Sequence, residues 1–318
     1  MSADDPFPPI TRDEIAAAHT RIAGDVRRTP LLRIPGKELG IDCDELWLKL
    51  EQLQIGGSFK ARGMFNRMRS HALPEAGVVI ASGGNAGIAV AVAAKALGVR
   101  CEVFVPESSS PAKRAKLVEL GAVLTVRGTG YADALAASIA RQATTGALLM
   151  HAYDQREVVV GAGTLAAEVE EEAGRPDRAL VSVGGGGLIA GIAAWFQDAC
   201  WIDALEPEQA PTLYRARKAG RPVDVEVSGI AADSLGARRI GSIAWDVTQQ
   251  YVDARHVLSE AAIREAQLEL WKRLRIAVEP AAALPLAALT TATVVPRQEE
   301  KVLLVICGAN LDPASLAS

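Results

Sequence analysis

No long run of one charge is set aside anywhere in this chain of 318 residues. Its 34 Lys plus Arg and 38 Asp plus Glu leave a formal net charge of −4. Without a basic stripe it has no footprint for nucleic acid or an anionic membrane, and a small-molecule partner fits better. Apolar stretches of membrane-spanning length are also missing, because the aliphatic segments at 86–97 and 188–195 are short and interrupted. The N-terminal MSADDPFPPITRDE is acidic and proline-rich, the opposite of the basic-then-apolar pattern of a secretion signal, so the expectation is a soluble cytoplasmic protein. Cysteine is scarce. Cys43, Cys101, Cys200 and Cys307 stand apart with no CxxC pair, which argues against a zinc site or a disulfide framework and predicts reduced thiols. No internal repeat or low-complexity segment stands out.

What is present is a core and a rhythm. Hydrophobic residues make up 49% of the chain, enough for one large or two medium domains. Thr11 followed by Glu14 forms a capping box ahead of IAAAHTRIA, which predicts a helix over about 11–25 with Pro30 beyond it. Strands ELWLKLE, GVVIA, CEVFVP, AVLTVR and ALLMHAY then alternate with helices after Ser58, over 85–97, after the Ser110 cap with Pro111, and after Gly130. Five such units predict a parallel sheet. A second set follows: a helix to about 172, the strand ALVSV, four glycines, another helix, the strand WIDALEP, a long helix near 259–275 and a last strand KVLLVICG. EQAPTLYRARKAGRP is polar and turn-rich and is read as a surface excursion. Strands apolar on both faces and separated by helices argue for a doubly wound α/β architecture with two mostly parallel sheets.

Four places in this pattern are suited to chemistry. In GGSFKARG, at 56–63, Lys60 follows an aromatic residue at a loop-to-helix junction. There the helix N-terminal amides favour the neutral, nucleophilic amine, although most lysines simply occupy solvated faces. SGGNAG, at 82–87, joins the strand GVVIA to an alanine-rich helix. Its backbone N–H groups can converge on a carboxylate, or Asn85 can simply cap the helix. GGGGL, at 184–188, again joins a strand to a helix, and four ordered glycines are costly unless a backbone must approach a phosphate closely. It lacks the GxGxxG pattern of a dinucleotide site. CGAN, at 307–310, ends the last strand, where an open α/β sheet collects ligands, while a lone cysteine there is as readily core packing.

These four sites in this order resemble the fold-type II pyridoxal phosphate enzymes, most closely the serine/threonine dehydratase and serine racemase group, over about residues 10–312. The resemblance implies the tryptophan synthase beta-like fold: two doubly wound domains with mostly parallel sheets. A large cofactor-binding domain of 1–66 plus 154–318 and a small domain of 67–153 are expected. It also implies the cofactor pyridoxal 5'-phosphate, held covalently by Lys60, with Phe59 packed by its ring and Asn85 on its hydroxyl. Gly184, Gly185, Gly186, Gly187 and Leu188 would hold the phosphate, and Cys307 would face the ring nitrogen. Ser82, Gly83, Gly84, Asn85 and Ala86 would take the substrate carboxylate. Glu279 and Pro280 match an EP pair near the ring, although Glu279 can equally be a helix-dipole partner. The activity implied is α,β-elimination: dehydration and deamination of L-serine or L-threonine to a keto acid and ammonia, by a homodimer. Rival readings on the same cofactor are β-replacement and an ammonia-lyase for 3-hydroxyaspartate or a diamino acid. A non-catalytic ligand-binding relative is the rival from another class.

Departures from the family pattern narrow the reading. Gly83 stands where serine racemase has a second serine, which disfavours racemisation. Thr212 stands six residues after Glu206, where cation-binding relatives have an acid, and Glu206 with the Ala210 carbonyl is too few ligands for a divalent ion, so no metal is expected. TGSFK is GGSFK here, and Ala232, Asp233 and Ser234 replace ADG, placing the Ser234 hydroxyl near the substrate. His151 and Tyr153 end another strand, and a structural role suits them at least as well as a functional one. With no regulatory domain expected after residue 318, effector control is not expected either.

Overall fold

Residues 8–316 are described in a computed structural model of the chain. The first seven residues of the acidic N-terminal segment lie outside the described residues. Thr11 opens the first helix as expected: its side chain accepts from the Glu14 N–H while Glu14 reaches back to the Thr11 backbone. That helix ends at Ile22, short of 25, just before Gly24, whose backbone freedom disfavours a further turn.

The strands are β1 Leu31–Ile34, β2 Leu46–Leu50, β3 Val78–Ala81, β4 Cys101–Val105, β5 Val123–Val126, β6 Leu148–Met150, β7 Arg178–Ser182, β8 Trp201–Pro207, β9 Ala254–Leu258 and β10 Val302–Ile306. The α-helices are α1 Arg12–Ile22, α2 Lys60–Arg69, α3 Asn85–Leu97, α4 Pro111–Glu119, α5 Tyr131–Thr145, α6 Arg156–Ala173, α7 Gly187–Phe196, α8 Thr212–Ala219, α9 Ser242–Tyr251, α10 Glu260–Leu274 and α11 Pro280–Thr290.

Two sheets form. The larger has the order β1-β2-β10-β7-β8-β9, parallel except for the β1–β2 pair; the smaller, β5-β4-β3-β6, is wholly parallel. Strand β2 does not lead the run that follows it in sequence, as the five-unit rhythm predicts. It pairs with β10, with Leu46 opposite Val302, and so ties the N-terminal segment to the far end of the chain. Strand β10 is buried throughout, as a central parallel strand between two helical layers must be. Edge strand β5 exposes both of its ends, so it departs from the expected both-faces-apolar strand.

The stretch read as a surface excursion contains α8, with Thr212, Leu213 and Ala216 buried. Its polar composition reflects the outer face alone. The sequence reading also passed over β1, β9, α9 and α11. Helix α11 is apolar all round and contains Pro285, so it shows no amphipathic period, and it is buried along most of its length as such a helix must be. No helix among the described residues is long and apolar enough to cross a membrane.

A buried ionic cluster binds β2, α2 and α6 together. Arg62 donates to Glu51 through Nε and Nη2 at 2.8 Å each, and to Glu168 at 2.7 and 2.8 Å; Lys49 donates to Glu168 at 2.8 Å. All four side chains are 0–2% exposed. Arg62 lies in the first turn of α2, two residues after Lys60, so this cluster fixes the helix on which Lys60 stands.

Candidate active site

The backbone before α2 is stitched to the end of β10. Ser58 forms an antiparallel bridge with Gly308, and the Phe59 N–H donates to the Cys307 carbonyl at 3.1 Å. Lys60, the first residue of α2, is thereby brought beside Cys307. Its ammonium donates to the Ala152 carbonyl at 2.8 Å and lies 5.0 Å from the centre of the Phe59 ring. Desolvation by the surrounding protein lowers its pKa from 10.5 to about 8, against the opposing pull of Cys307 and Glu279. The largest cause is therefore burial, where the sequence reading invoked helix amides. Burial likewise pushes the Cys307 thiol well up, with Glu279 adding to the effect, so Cys307 is a neutral thiol.

Asn85 is not the cap of α3; Gly84 is, and the Asn85 side chain is free for other work. It donates to both oxygens of Glu279, at 2.8 and 3.0 Å, and accepts from Asn310 Nδ2 at 2.8 Å. Asn310 also donates to the Gly56 carbonyl at 2.8 Å. Glu279 precedes α11 and caps nothing with its side chain. Burial raises its carboxyl pKa to about 7, opposed by the hydrogen bonds from Asn85 and the Asn310 backbone. Its place in this cluster, and not a dipole interaction, occupies its oxygens.

Gly184, Gly185, Gly186, Gly187 and Leu188 link β7 to α7. Gly186 has φ 87°, the left-handed region that favours glycine. A Cβ on Gly185 would lie 2.3 Å from the Tyr153 ring, so the ring requires glycine there. The N–H groups of Gly185, Gly186 and Gly187 make no hydrogen bond to another described residue. Unpartnered amides at a helix N-terminus are a ready anion site. Gly187, Phe59 and Lys60 line one small space together with Ala152 and Tyr153. Ser58 Oγ is buried without a partner among the described residues. An amine of lowered pKa, a ring-packing aromatic and a free amide run are what an aldehyde bearing a phosphate would need, and the residues present fit one.

Gly83, Gly84, Asn85, Ser234 and Glu279 line an adjoining cavity of about 530 Å³, together with Lys113 and Asp233. The Ser82 hydroxyl accepts from the Gly84 N–H at 3.4 Å. Ser82 and Ala86 do not line the cavity; Ala86 packs in the core of the smaller sheet. His151 accepts the N–H groups of Tyr153 and Asp154 on Nδ1 at 3.4 and 3.0 Å, and burial lowers its pKa, so it is a neutral structural residue. Both oxygens of the buried Glu206 accept from α8, Leu213 N–H on one and Tyr214 N–H on the other at 2.7 Å each, and the Thr212 hydroxyl oxygen lies 3.1 Å from the first. The Ala210 carbonyl accepts the Thr212 N–H at 3.1 Å. These oxygens do not fit a divalent ion, because they are already used within the chain.

Sequence reasoning gave Asn310 no role of its own, left Tyr153 between a structural and a functional role, and missed the Ala152 carbonyl. The asparagine of CGAN was the one available signal for the first; the other two act through a backbone atom and a ring face, for which no sequence pattern exists.

Two mostly parallel sheets with a reactive lysine beside an anion-ready glycine run define a class of enzymes that work through pyridoxal phosphate. Residues 22–308 match the family described as pyridoxal-phosphate dependent enzyme, and the chain belongs to that family. It is 35% identical over 311 residues to an L-threonine ammonia-lyase of Geobacter sulfurreducens, covering 95% of this chain and 76% of that one. It is 30% identical over 308 residues to an L-threonine ammonia-lyase of Thermotoga maritima, covering 95% and 76%. The structure of maize serine racemase superposes with a TM-score of 0.91 at 29% identity, covering 98% of this chain and 96% of that one. The protein is a pyridoxal phosphate-dependent lyase of the ammonia-lyase, or dehydratase, type.

Proposed function

We propose that the substrate is a small hydroxy amino acid, L-serine or L-threonine, from which the enzyme removes water and releases ammonia and a 2-keto acid. The observation that carries this reading is the Lys60 amine of lowered pKa standing beside a cavity whose cations are already engaged. Lys113 is paired with Asp233 at 2.6 Å, and Arg264 donates to Gln267 at 2.7 Å and to the Ser315 carbonyl at 2.6 Å. A second carboxylate on the substrate, as in 3-hydroxyaspartate, would have to break one of these contacts. A hydroxymethyl or hydroxyethyl side chain needs no such exchange.

In this reading Lys60 Nζ would hold the cofactor covalently and, when free, would take the proton from the substrate α-carbon. Phe59 would pack beside the ring, Asn85, held by Glu279, would meet its hydroxyl, and the neutral Cys307 thiol would serve the ring nitrogen. The amides of Gly184, Gly185, Gly186, Gly187 and Leu188 hold the phosphate. The Gly83, Gly84 and Asn85 segment that lines the cavity would orient the substrate carboxylate, with Ser82, whose hydroxyl accepts the Gly84 N–H, and Ala86 supporting it from behind, and the Ser234 hydroxyl would face the side chain. What the cofactor supplies is an electron-poor ring that delocalises the pair left on the α-carbon. With the cofactor bound, the β-carbon to oxygen bond would break as the α-carbon pair forms the carbon–carbon double bond. The departing hydroxyl would take up a proton equivalent to the one lost from the α-carbon and leave as water. Hydrolysis of the resulting imine by water would release ammonia and the keto acid. Residues 1–66 plus 154–318 would act as the cofactor-binding domain and 67–153 as a small domain. The resemblance supports a cytoplasmic homodimer.

Steady-state release of keto acid from serine, threonine and 3-hydroxyaspartate tests the substrate. The expected result is a kcat/KM higher for serine or threonine than for 3-hydroxyaspartate by up to about fivefold, since unpairing one exposed cation costs up to about 1 kcal/mol. No release from any of the three would end the reading, and a preference for 3-hydroxyaspartate would replace it.

The pH dependence of cofactor capture is a second test. With its pKa near 8, the neutral Lys60 amine is the minor form at neutral pH and the major form above about 8. The initial rate at which cofactor-free protein captures pyridoxal phosphate, trapped by borohydride, is expected to rise through about pH 8 and level off. A rise that continues past pH 10 would show an unperturbed lysine instead.

A further inference from the structure

A trans peptide unit points its C=O and the next N–H in opposite directions, so whatever holds one carbonyl aims the amide that follows it. Two carbonyls of the glycine run are held in this way. Gly184 O accepts from the Thr212 hydroxyl at 2.6 Å, and Gly185 O accepts from the Gly241 N–H at 3.0 Å. The amides of Gly185 and Gly186 are thereby turned to the opposite side, where they donate to no other described residue.

Gly241 acts through its backbone, and a Cβ there would lie 2.8 Å from the Asp154 carboxylate, so this contact offers no side chain to vary. Thr212 acts through its side chain. It is fully buried at the start of α8, and its hydroxyl oxygen also lies 3.1 Å from the carboxylate of Glu206, the β8 residue that accepts the α8 amides of Leu213 and Tyr214. A hydroxyl has one hydrogen, and the shorter contact to Gly184 takes it. Thr212 is therefore a rigid bracket from the end of β8 to the loop that follows β7.

We propose that Thr212 is a positioning residue for phosphate binding: by holding the Gly184 carbonyl outward, its hydroxyl aims the amides of the glycine run at the cofactor phosphate. The bracket uses only the chain's own atoms, at the place where cation-binding relatives have an acidic ligand. Removing the hydroxyl frees the 184–185 peptide to rotate, and the loss falls on recognition of the phosphate and not of the aldehyde.

The test compares the affinity of cofactor-free protein for pyridoxal phosphate with its affinity for pyridoxal, which lacks the phosphate, in wild type, Thr212→Val and Thr212→Ser. Thr212→Val is expected to weaken pyridoxal phosphate about tenfold, the size of one hydrogen bond, while pyridoxal stays within about twofold. Thr212→Ser is expected to restore phosphate recognition. Should Thr212→Val fail to fold, Thr212→Ala takes its place in the same comparison. The proposal is overturned if the hydroxyl-free variant binds pyridoxal phosphate as wild type does, if both ligands weaken equally, or if Thr212→Ser is as impaired as Thr212→Val.

Discussion

Replacing Lys60 by alanine is expected to lower kcat by at least about 10³-fold, within the range by which a positioned general base accelerates a proton transfer. The amine has two tasks in the proposed reaction, covalent attachment of the cofactor and removal of the α-proton, and alanine performs neither. The rest of the site should survive. The Phe59 N–H to Cys307 carbonyl bond is a backbone contact, and the phosphate cradle belongs to a different loop. The variant should therefore still bind pyridoxal phosphate non-covalently, and borohydride should no longer fix it to the protein. Turnover within tenfold of wild type would show that another group abstracts the proton.

The second large effect is on stability. Arg62→Met is expected to lower the free energy of unfolding by roughly 3–5 kcal/mol, the cost of breaking a buried pair by removing one partner. In the native cluster Arg62 and Lys49 balance Glu51 and Glu168, and all four are 0–2% exposed. Removing Arg62 leaves Lys49 to answer two buried carboxylates. The strain has no outlet to solvent. Pairing Arg62→Met with Glu51→Leu restores the charge balance and should recover part of the loss, since apolar replacement of a whole buried pair is often neutral. Denaturant midpoints at an unchanged slope measure both variants. A loss below about 1 kcal/mol for the single variant would mean that water reaches the cluster.

The cluster also bears on the active site, because Arg62 and Lys60 share the first turn of α2. A partly unfolded α2 would move the amine away from Cys307 and Ala152. For that reason the kinetics of the Arg62 variant are to be read only well below its own unfolding midpoint.

Much of this protein is determined by its sequence alone. Apolar runs separated by helical patterns define the parallel architecture, and Thr11 with Glu14 marks the first helix start. The glycine runs at 82–87 and 184–188 announce their places between strand and helix, because those signals are set by chain neighbours and by side-chain period. Lys60 was legible for the same reason: it stands at a junction that the local pattern defines.

Only the tertiary structure decided what those residues meet. Asn85, Glu279 and Asn310 form one hydrogen-bonded unit although Asn310 and Asn85 are 225 positions apart. Strand β2 pairs with β10 and not with the strand that follows it. The polar segment around Thr212 hides a helix that brackets Gly184. A period of 2 or 3.6 reports which face of an element is buried, and is silent about which other element covers that face. Partners across a sheet or between loops are chosen by strand order and packing of the whole chain, and no local pattern of residues encodes them.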